Sequence, residues 1–516
     1  MRRTALLLLA SSFRLPALAQ IQGQNVNATA NQGRFGNATY DYVIVGGDDP
    51  SVSVAVVEAG EYYELDGTIA SVNPGLAAGA NVGTDATEYS TVDWNFEARP
   101  LTSANGRSLR YNRGKTPGGS SARHYMGWDS VFPYFQRSIN ITPANMTARF
   151  PNTTVTDDPA GFGQSGGPLH VTWPYYGSPW STWIEQGLEA VGTRDSSETS
   201  FLQQSLQNSN LTVYLHTMAL KINFDAPLPP VSIARREIIV SAGALQSPQF
   251  LMVSGIGPRA TLERHGIPVV KDLAGVCQNM WEDPFFGITH QVNLSQQGPL
   301  TSAGFGVLGW EKLPSSTFSD SRNKALAVFP SDWPTIEYLS IDGYLNGWHS
   351  AADQAVGDGQ QWGTVAAALV APLSHGNVAI SSPDMNDPPV FDLGSLTHPA
   401  GREIAVAAMR RIRRAFAAIS EITIGDKAVP GANVETDEEL LDFIRETIVP
   451  VNHVAGTCGK GREDGPQAVV DPQARAIGVK NLRVVDASIF PTLPPGHPQS
   501  TCYILAEKIA DLIKGD

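Results

Sequence analysis

Gly46 and Gly47 close a short apolar run, Tyr40-Asp41-Tyr42-Val43-Ile44-Val45, and Glu58 closes a second, Ser53 to Val57. Glycines at the end of a strand let the backbone approach a pyrophosphate, and an acid at the end of the next strand can take ribose hydroxyls. The two runs therefore have the frame of a dinucleotide site. Many sheets end strands in Gly and Glu for reasons of turning alone, so the frame needs support from the rest of the chain. The three cysteines, Cys277, Cys458 and Cys502, have neither the close pair spacing of a zinc site nor the density of a disulfide framework. Their odd number leaves at least one free thiol, and no metal is expected. Isolated histidines such as His216, His265 and His375 are ordinary packing residues on this reading.

The elements that would hold such a site are scattered along the chain. Tyr40–Val45 and Ser53–Val57 read as buried parallel strands. A third, Glu237 to Val240, runs through Ser241-Ala242-Gly243 into a helical stretch from Leu245 to Val253. A fourth, Leu482 to Val485, ends in Asp486 before a loop and a helix from about Ser500 to Ile513. Pieces this far apart predict one α/β, Rossmann-like domain assembled discontinuously. Between them, Val365 to Val370 and Val378 to Ile380 read as strands, and Arg402 to Ile419 and Asp437 to Ile448 as amphipathic helices. That region predicts an inserted α+β domain capping the first. The row Arg410-Arg411-Arg413-Arg414 reads as a solvated helix face.

The chain has 516 residues, more than one ordinary core, with 42% hydrophobic and 17% charged residues and a formal charge of −14. An acidic chain without basic clusters argues against nucleic acid as a partner. Arg2 and Arg3, the apolar stretch Thr4 to Ala10 and Ala17-Leu18-Ala19 have the layout of a cleavable leader. Sequons stand at Asn27, Asn37, Asn140, Asn145, Asn152, Asn210 and Asn293. Together they predict a secreted, glycosylated protein. No later run reaches the roughly 18 apolar residues of a membrane span.

Three long motifs widen the picture. Arg113-Gly114-Lys115-Thr116-Pro117-Gly118-Gly119-Ser120-Ser121-Ala122-Arg123-His124-Tyr125-Met126-Gly127 resembles the first signature of the glucose–methanol–choline (GMC) oxidoreductases. Gly243-Ala244-Leu245-Gln246-Ser247-Pro248, continuing to Gly257, is similar to the second. Asn481-Leu482-Arg483-Val484-Val485-Asp486-Ala487, followed by Pro495-Gly496-His497-Pro498-Gln499-Ser500-Thr501, resembles the family's C-terminal flavin segment. The nearest flavour is that of secreted fungal aryl-alcohol-oxidase-like and patulin-synthase-like enzymes.

The resemblance implies FAD as cofactor and a discontinuous FAD-binding domain, residues 40–165, 211–283 and 450–516. It implies an inserted substrate-binding domain, 166–210 and 284–449, behind a leader of residues 1–19. It implies that His453 accepts the proton of an alcohol whose hydride passes to the flavin, a task suited to an imidazole near neutral pH. His497 matches the second polar position beside the flavin. Gly46, Gly47, Glu58, Ala59, Trp94, His124, Tyr125, Met126, Gly127, Ala487, Pro498 and Gln499 match positions that contact the cofactor. The partners implied are a small-molecule alcohol, aromatic or polyketide-derived, and oxygen or a quinone as acceptor.

The sequence also departs from the family pattern. Gly47 passes at once to Asp48-Asp49-Pro50, with no residues for the helix that normally separates the first two strands. Parallel neighbours usually need a crossover of about a dozen residues, so the expectation is that these strands rearrange or the region is misformed, and that FAD is held weakly. Similar seams follow Trp128, Thr193 and the stretch beginning at Phe224. Alternatives to alcohol oxidation are a non-redox cyclase on the same fold, as in versicolorin B synthase, or an inactive relative.

Overall fold

The computed structural model describes residues 38–45, 53–63, 92–119, 138–142, 167–172, 197, 201–202, 205–206, 211–224, 232–293, 305–344, 360–420 and 422–515. In chain order, the elements that build the site begin with β1 (Ala38–Val45) and β2 (Val54–Val57), followed by the small hairpin β3 (Phe96–Glu97) and β4 (Arg110–Tyr111). Next come β5 (Leu211–Tyr214), β6 (Ser232–Val240) and the helix α1 (Gly243–Val253). The middle of the chain supplies β7 (Pro284–Val292), β8 (Phe305–Glu311), β9 (Ile336–Asp342), β10 (Gln361–Ala368), α2 (Pro399–Ala418), β11 (Thr423–Val429), α3 (Asp437–Thr447) and β12 (Val449–Pro450). The end supplies β13 (Leu482–Val484) and α4 (Gln499–Gly515).

Five strands form a wholly parallel sheet in the order β13-β6-β1-β2-β5. Their residues are apolar and nearly continuous, as strands buried on both faces must be: Val54 and Ala55 are fully buried. Strand β6 starts earlier than its apolar run suggests. Its polar head, Ser232 to Arg236, pairs with β1 from Ala38 onward, and Arg235 bonds the Asp41 carboxylate at 2.9 Å.

The first two strands do not part. They lie side by side in parallel, Tyr42 opposite Val54 and Ile44 opposite Val56. The register explains why a short link suffices. Strand β2 begins level with Tyr42 rather than with the start of β1, so the end of β1 and the start of β2 differ in height by only a few residues' rise, ~3.3 Å each. Asp41 fixes that entry point: its carboxylate accepts the Ser53 N–H at 3.0 Å and hydroxyl at 2.7 Å, and its own N–H donates to the Ser53 carbonyl at 2.8 Å. The link itself, with Gly46 and Gly47, lies outside the described residues. So do His124, Tyr125, Met126 and Gly127, the leader, and the seams after Trp128 and Thr193.

A second sheet is antiparallel, β8-β9-β10-β7-β11, with β12 also pairing β7. Helix α2 covers it with Ile404, Ala408, Ile412 and Phe416, one buried residue per turn. Its arginines are tied rather than free: Arg410 pairs with Asp437 at 2.5 Å and Arg411 with Glu311 at 2.8 Å. A parallel Rossmann-like sheet joined to an inserted antiparallel sheet with helices is the α/β architecture the sequence predicts.

Candidate active site

The site forms where the second sheet meets the loops of the first. Strand β12 pairs with the start of β7, Pro450 opposite Pro284 and Val449 opposite Phe285. The pairing continues beyond both strands, for Trp281 and Ala455 exchange backbone hydrogen bonds at 2.9 and 3.1 Å. Residues 451–455 are thus held against residues 281–283. Asn452, at φ 68°, turns the chain there. Its carbonyl accepts from Arg113 Nη1 at 2.8 Å, which fastens the β3–β4 hairpin to the same loop. The His453 N–H donates to Glu282 Oε1 at 3.1 Å, and the Val454 N–H donates to the Tyr111 hydroxyl at 2.8 Å. That hydroxyl in turn bonds Glu282 Oε2.

His497 arrives from the other end, on the loop that precedes α4. Gly496 before it sits at φ 102°, and a Cβ there would come within 3.2 Å of the Trp310 indole Nε1. Only glycine combines that backbone with so close an indole. Trp310 is half exposed on β8, so it covers the His497 loop from the solvent side.

Four buried side chains then fall in a row. Asp283 Oδ2 is 3.5 Å from His453 Nδ1, His453 Nε2 is 3.2 Å from His497 Nδ1, and His497 Nε2 is 3.1 Å from Glu337 Oε1. The last distance is that of an ion pair, without the angles of a hydrogen bond. The imidazoles stand edge to face, 4.9 Å between centroids. Exposure is 6% for His453, 3% for His497 and 1% for both Asp283 and Glu337, so bulk water does not solvate these groups.

Burial decides the electrostatics. Glu282 is pushed up to about 7 by loss of water, against the opposing pull of Tyr111, the His453 N–H and Arg113. The Asp283 carboxyl is raised well above the usual range, first by burial and then by the charges of Glu282 and Glu337. Tyr111 is raised by burial and by Glu282. Carboxyls with high proton affinity beside two imidazoles can take up and pass on protons near neutral pH.

The remaining candidates fall into two groups. Ala487 opens a short turn whose carbonyl accepts the Gly456 N–H at 3.1 Å, so it adjoins the His453 loop, and Pro498 and Gln499 follow His497 directly into α4. Trp94 stacks on Phe96 in the hairpin that Arg113 fastens to Asn452. Glu58 and Ala59 lie at the carboxyl edge of the parallel sheet. There Glu58 Oε1 accepts the Gly60 N–H at 2.7 Å, and burial raises its carboxyl against the pull of Lys115. Gly60 packs against the first signature so closely that a Cβ would fall 2.1 Å from the Lys115 carbonyl oxygen.

Residues present fit the polar parts of a flavin cofactor. Ser500 Oγ and Thr501 Oγ1 at the start of α4 and Thr116 Oγ1 in the first signature are buried and bond nothing among the described residues. Buried hydroxyls normally find a partner, and these lie on the segments that match cofactor contacts.

Sequence reasoning missed Glu282, Asp283, Glu337, Tyr111 and Arg113. One signal was available for two of them: Glu282-Asp283 interrupts the apolar stretch Met280-Trp281 and Pro284-Phe285-Phe286, and charged residues in such a context are rarely buried without purpose. Glu337 lies in β9 with Ser340 and Asp342, a mixed run in which one more polar residue gave no comparable signal. Among the described residues there is no metal-binding cluster, and no helix is long and apolar enough to cross a membrane.

Comparison with known proteins places these features. Family profiles described as GMC oxidoreductase match residues 177–284 and 372–506. The chain is 72% identical to dehydrogenase pkfF of Emericella nidulans over 608 aligned positions covering 100% of both chains. With 516 residues here, that relative carries segments this chain lacks. It is 38% identical to patulin synthase of Penicillium expansum, covering 93% of this chain and 92% of that one, and 33% identical to versicolorin B synthase of Aspergillus parasiticus, covering 95% and 91%. Among solved structures, a variant formate oxidase of Aspergillus oryzae superposes with TM-score 0.76 at 21% identity, over 93% of this chain and 99% of that one. A fungal aryl-alcohol oxidase superposes with TM-score 0.69 at 20% identity, over 93% and 99%.

Proposed function

The chain belongs to the GMC oxidoreductase family, FAD-dependent enzymes acting on small molecules, and from that premise we propose that it oxidises an alcohol, aromatic or polyketide-derived, to a carbonyl in fungal secondary metabolism. One observation carries the reading: two buried imidazoles, His453 and His497, stand 3.2 Å apart on the loops that the family motifs predict. An alcohol whose hydroxyl replaces the direct contact between them meets one ring that accepts its proton and a second that orients it. FAD, when bound, supplies the hydride acceptor. Burial excludes water from the proton transfer, and Trp281, Phe329 and Trp333, in mutual ring contact, give one side of the region an aromatic surface. The name of pkfF, a dehydrogenase, supports the reaction type. Glu58, Ala59, Ala487, Pro498 and Gln499 hold the cofactor in this reading, with Gly46, Gly47, Trp94 and His124 to Gly127. Oxygen or a quinone reoxidises it.

The test is anaerobic mixing of purified protein with a panel of benzylic and polyketide-type alcohols. Bleaching of the flavin bands, with one carbonyl formed per flavin reduced, supports the proposal. A substrate converted without any bleaching sinks it and favours the second reading, a non-redox cyclase. That reading is kept because of the likeness to versicolorin B synthase and because ring closure needs the same acid–base groups. We also propose secretion, with cleavage after Ala19 and glycan on several sequons. Asn293 is exposed at the end of β7, as a glycan requires. Mass spectrometry finding an intact Met1 and bare asparagines on protein from its native host would overturn that location.

A further inference from the structure

The base must present an unprotonated nitrogen to the alcohol. A neutral imidazole carries one proton on either of two nitrogens, and whatever faces the second nitrogen decides which. His453 Nε2 faces His497, and His453 Nδ1 faces Asp283 Oδ2 at 3.5 Å. Asp283 is 1% exposed, and its other oxygen, Oδ1, is buried and hydrogen-bonds to nothing among the described residues. Its peptide carbonyl takes part in the backbone ladder to Val451, yet the carboxylate caps no strand and closes no turn. A carboxylate removed from water and left half unsatisfied costs several kcal/mol, so its placement beside one imidazole nitrogen calls for a role.

We propose that Asp283 is a positioning residue for His453: ionised, its carboxylate accepts a hydrogen bond from Nδ1–H and leaves the Nε2 lone pair to the alcohol. The proposal rests on the reading of His453 as the base. The charged and titratable groups facing the histidine are Tyr111 and Arg113 from the hairpin, Glu282 and Asp283 from the entry to β7, Glu337 from β9 through His497, and His497 itself. Among these, Asp283 is the acceptor placed at Nδ1. When the alcohol proton reaches Nε2, the ring becomes an imidazolium beside Asp283, and the pair is then neutral overall. Nearby Glu282 and Glu337 favour that change, since two further carboxylates repel an uncompensated Asp283 anion. No bond beyond the O–H and N–H bonds is involved in this transfer.

The experiment reads the tautomer directly. The full chain is labelled with 15N-histidine, and the His453 resonances are assigned by their loss in His453→Gln. With the site otherwise unaltered and the pH raised until Asp283 is ionised, nitrogen shifts showing the proton on Nδ1 support the proposal, and a proton resident on Nε2 overturns it. In Asp283→Asn the side-chain amide can donate to Nδ1 and drive the proton to Nε2. The expected result is that switch, with kcat lower by about 10²–10⁴-fold, KM changed only a few-fold and flavin content unaltered. An unchanged tautomer in Asp283→Asn overturns the proposal. A switched tautomer with undiminished turnover upholds Asp283 as the positioning group and removes His453 from the role of base, which separates the two failures.

Discussion

In the proposed reading the two histidines divide the work on one alcohol, His453 accepting its proton while His497 orients it. Replacing His453 by Ala should lower turnover by ~10²–10⁴-fold with flavin retained, the usual weight of a positioned acid–base group. His497→Ala should cost less, because it orients. Steady-state kinetics on a proven substrate checks both, and unchanged turnover in the first variant would remove the assignment. Glu282 makes a different prediction, about stability. The unfolded chain releases that proton near 4.5 and the folded chain near 7, so between those values the folded state holds more protons than the unfolded one. Stability should therefore fall as pH rises from about 4.5 to about 7, by roughly 3 kcal/mol for this group, and change little above. Glu282→Gln should flatten the dependence. Melting temperatures measured across that window, equally steep in both proteins, would count against it.

Elements were easier to read than the contacts between them. The runs ending at Val45, Val57, Val240 and Val484 announced parallel strands because burial on both faces leaves an unbroken apolar run, and α2 and α3 showed because their apolar residues recur each turn. Most of the antiparallel sheet was hidden. Strands β7, β8 and β9 mix polar and apolar residues, as in Thr289-His290-Gln291, and the polar ones are satisfied by partners far away in sequence: Thr289 and Thr364 share a hydroxyl bond at 2.7 Å. The histidines were found through motifs, whereas Asp283 and Glu337 meet them only through contacts between remote segments. One such long-range tie is measurable. Arg483 in β13, 1% exposed, donates to Glu237 of β6 at 2.6 Å and to the Gln473 carbonyl at 2.8 Å. Arg483→Ala leaves that carboxylate facing an apolar edge and should cost about 3–5 kcal/mol in chemical denaturation. A loss below about 1 kcal/mol would show that the strand edge is held by packing alone.

For the protein as a whole, the segments missing relative to its longer relative bear on the cofactor more than on the fold. The parallel sheet survives with β1 and β2 adjacent, but the residues that would form a helix start at the pyrophosphate are absent from the sequence, and with them its free N–H groups. We predict that FAD is retained less firmly here than in a chain carrying a family-like insert between Gly47 and Asp48. Flavin absorbance after desalting compares the two forms, and stoichiometric FAD in the shorter one would refute the prediction. The sheet order has one more consequence, for the path by which the chain reaches its structure. Tyr42 pairs with Glu237, Ile238 with Leu482 and Val54 with Leu211, so every pairing in the sheet except β1 with β2 joins remote parts of the sequence. Large loops must close before these pairings yield any stabilisation, which slows folding and leaves apolar strand edges uncovered meanwhile. Recovery from denaturant should accordingly be slow and concentration-sensitive, with yield set by the race between strand docking and aggregation.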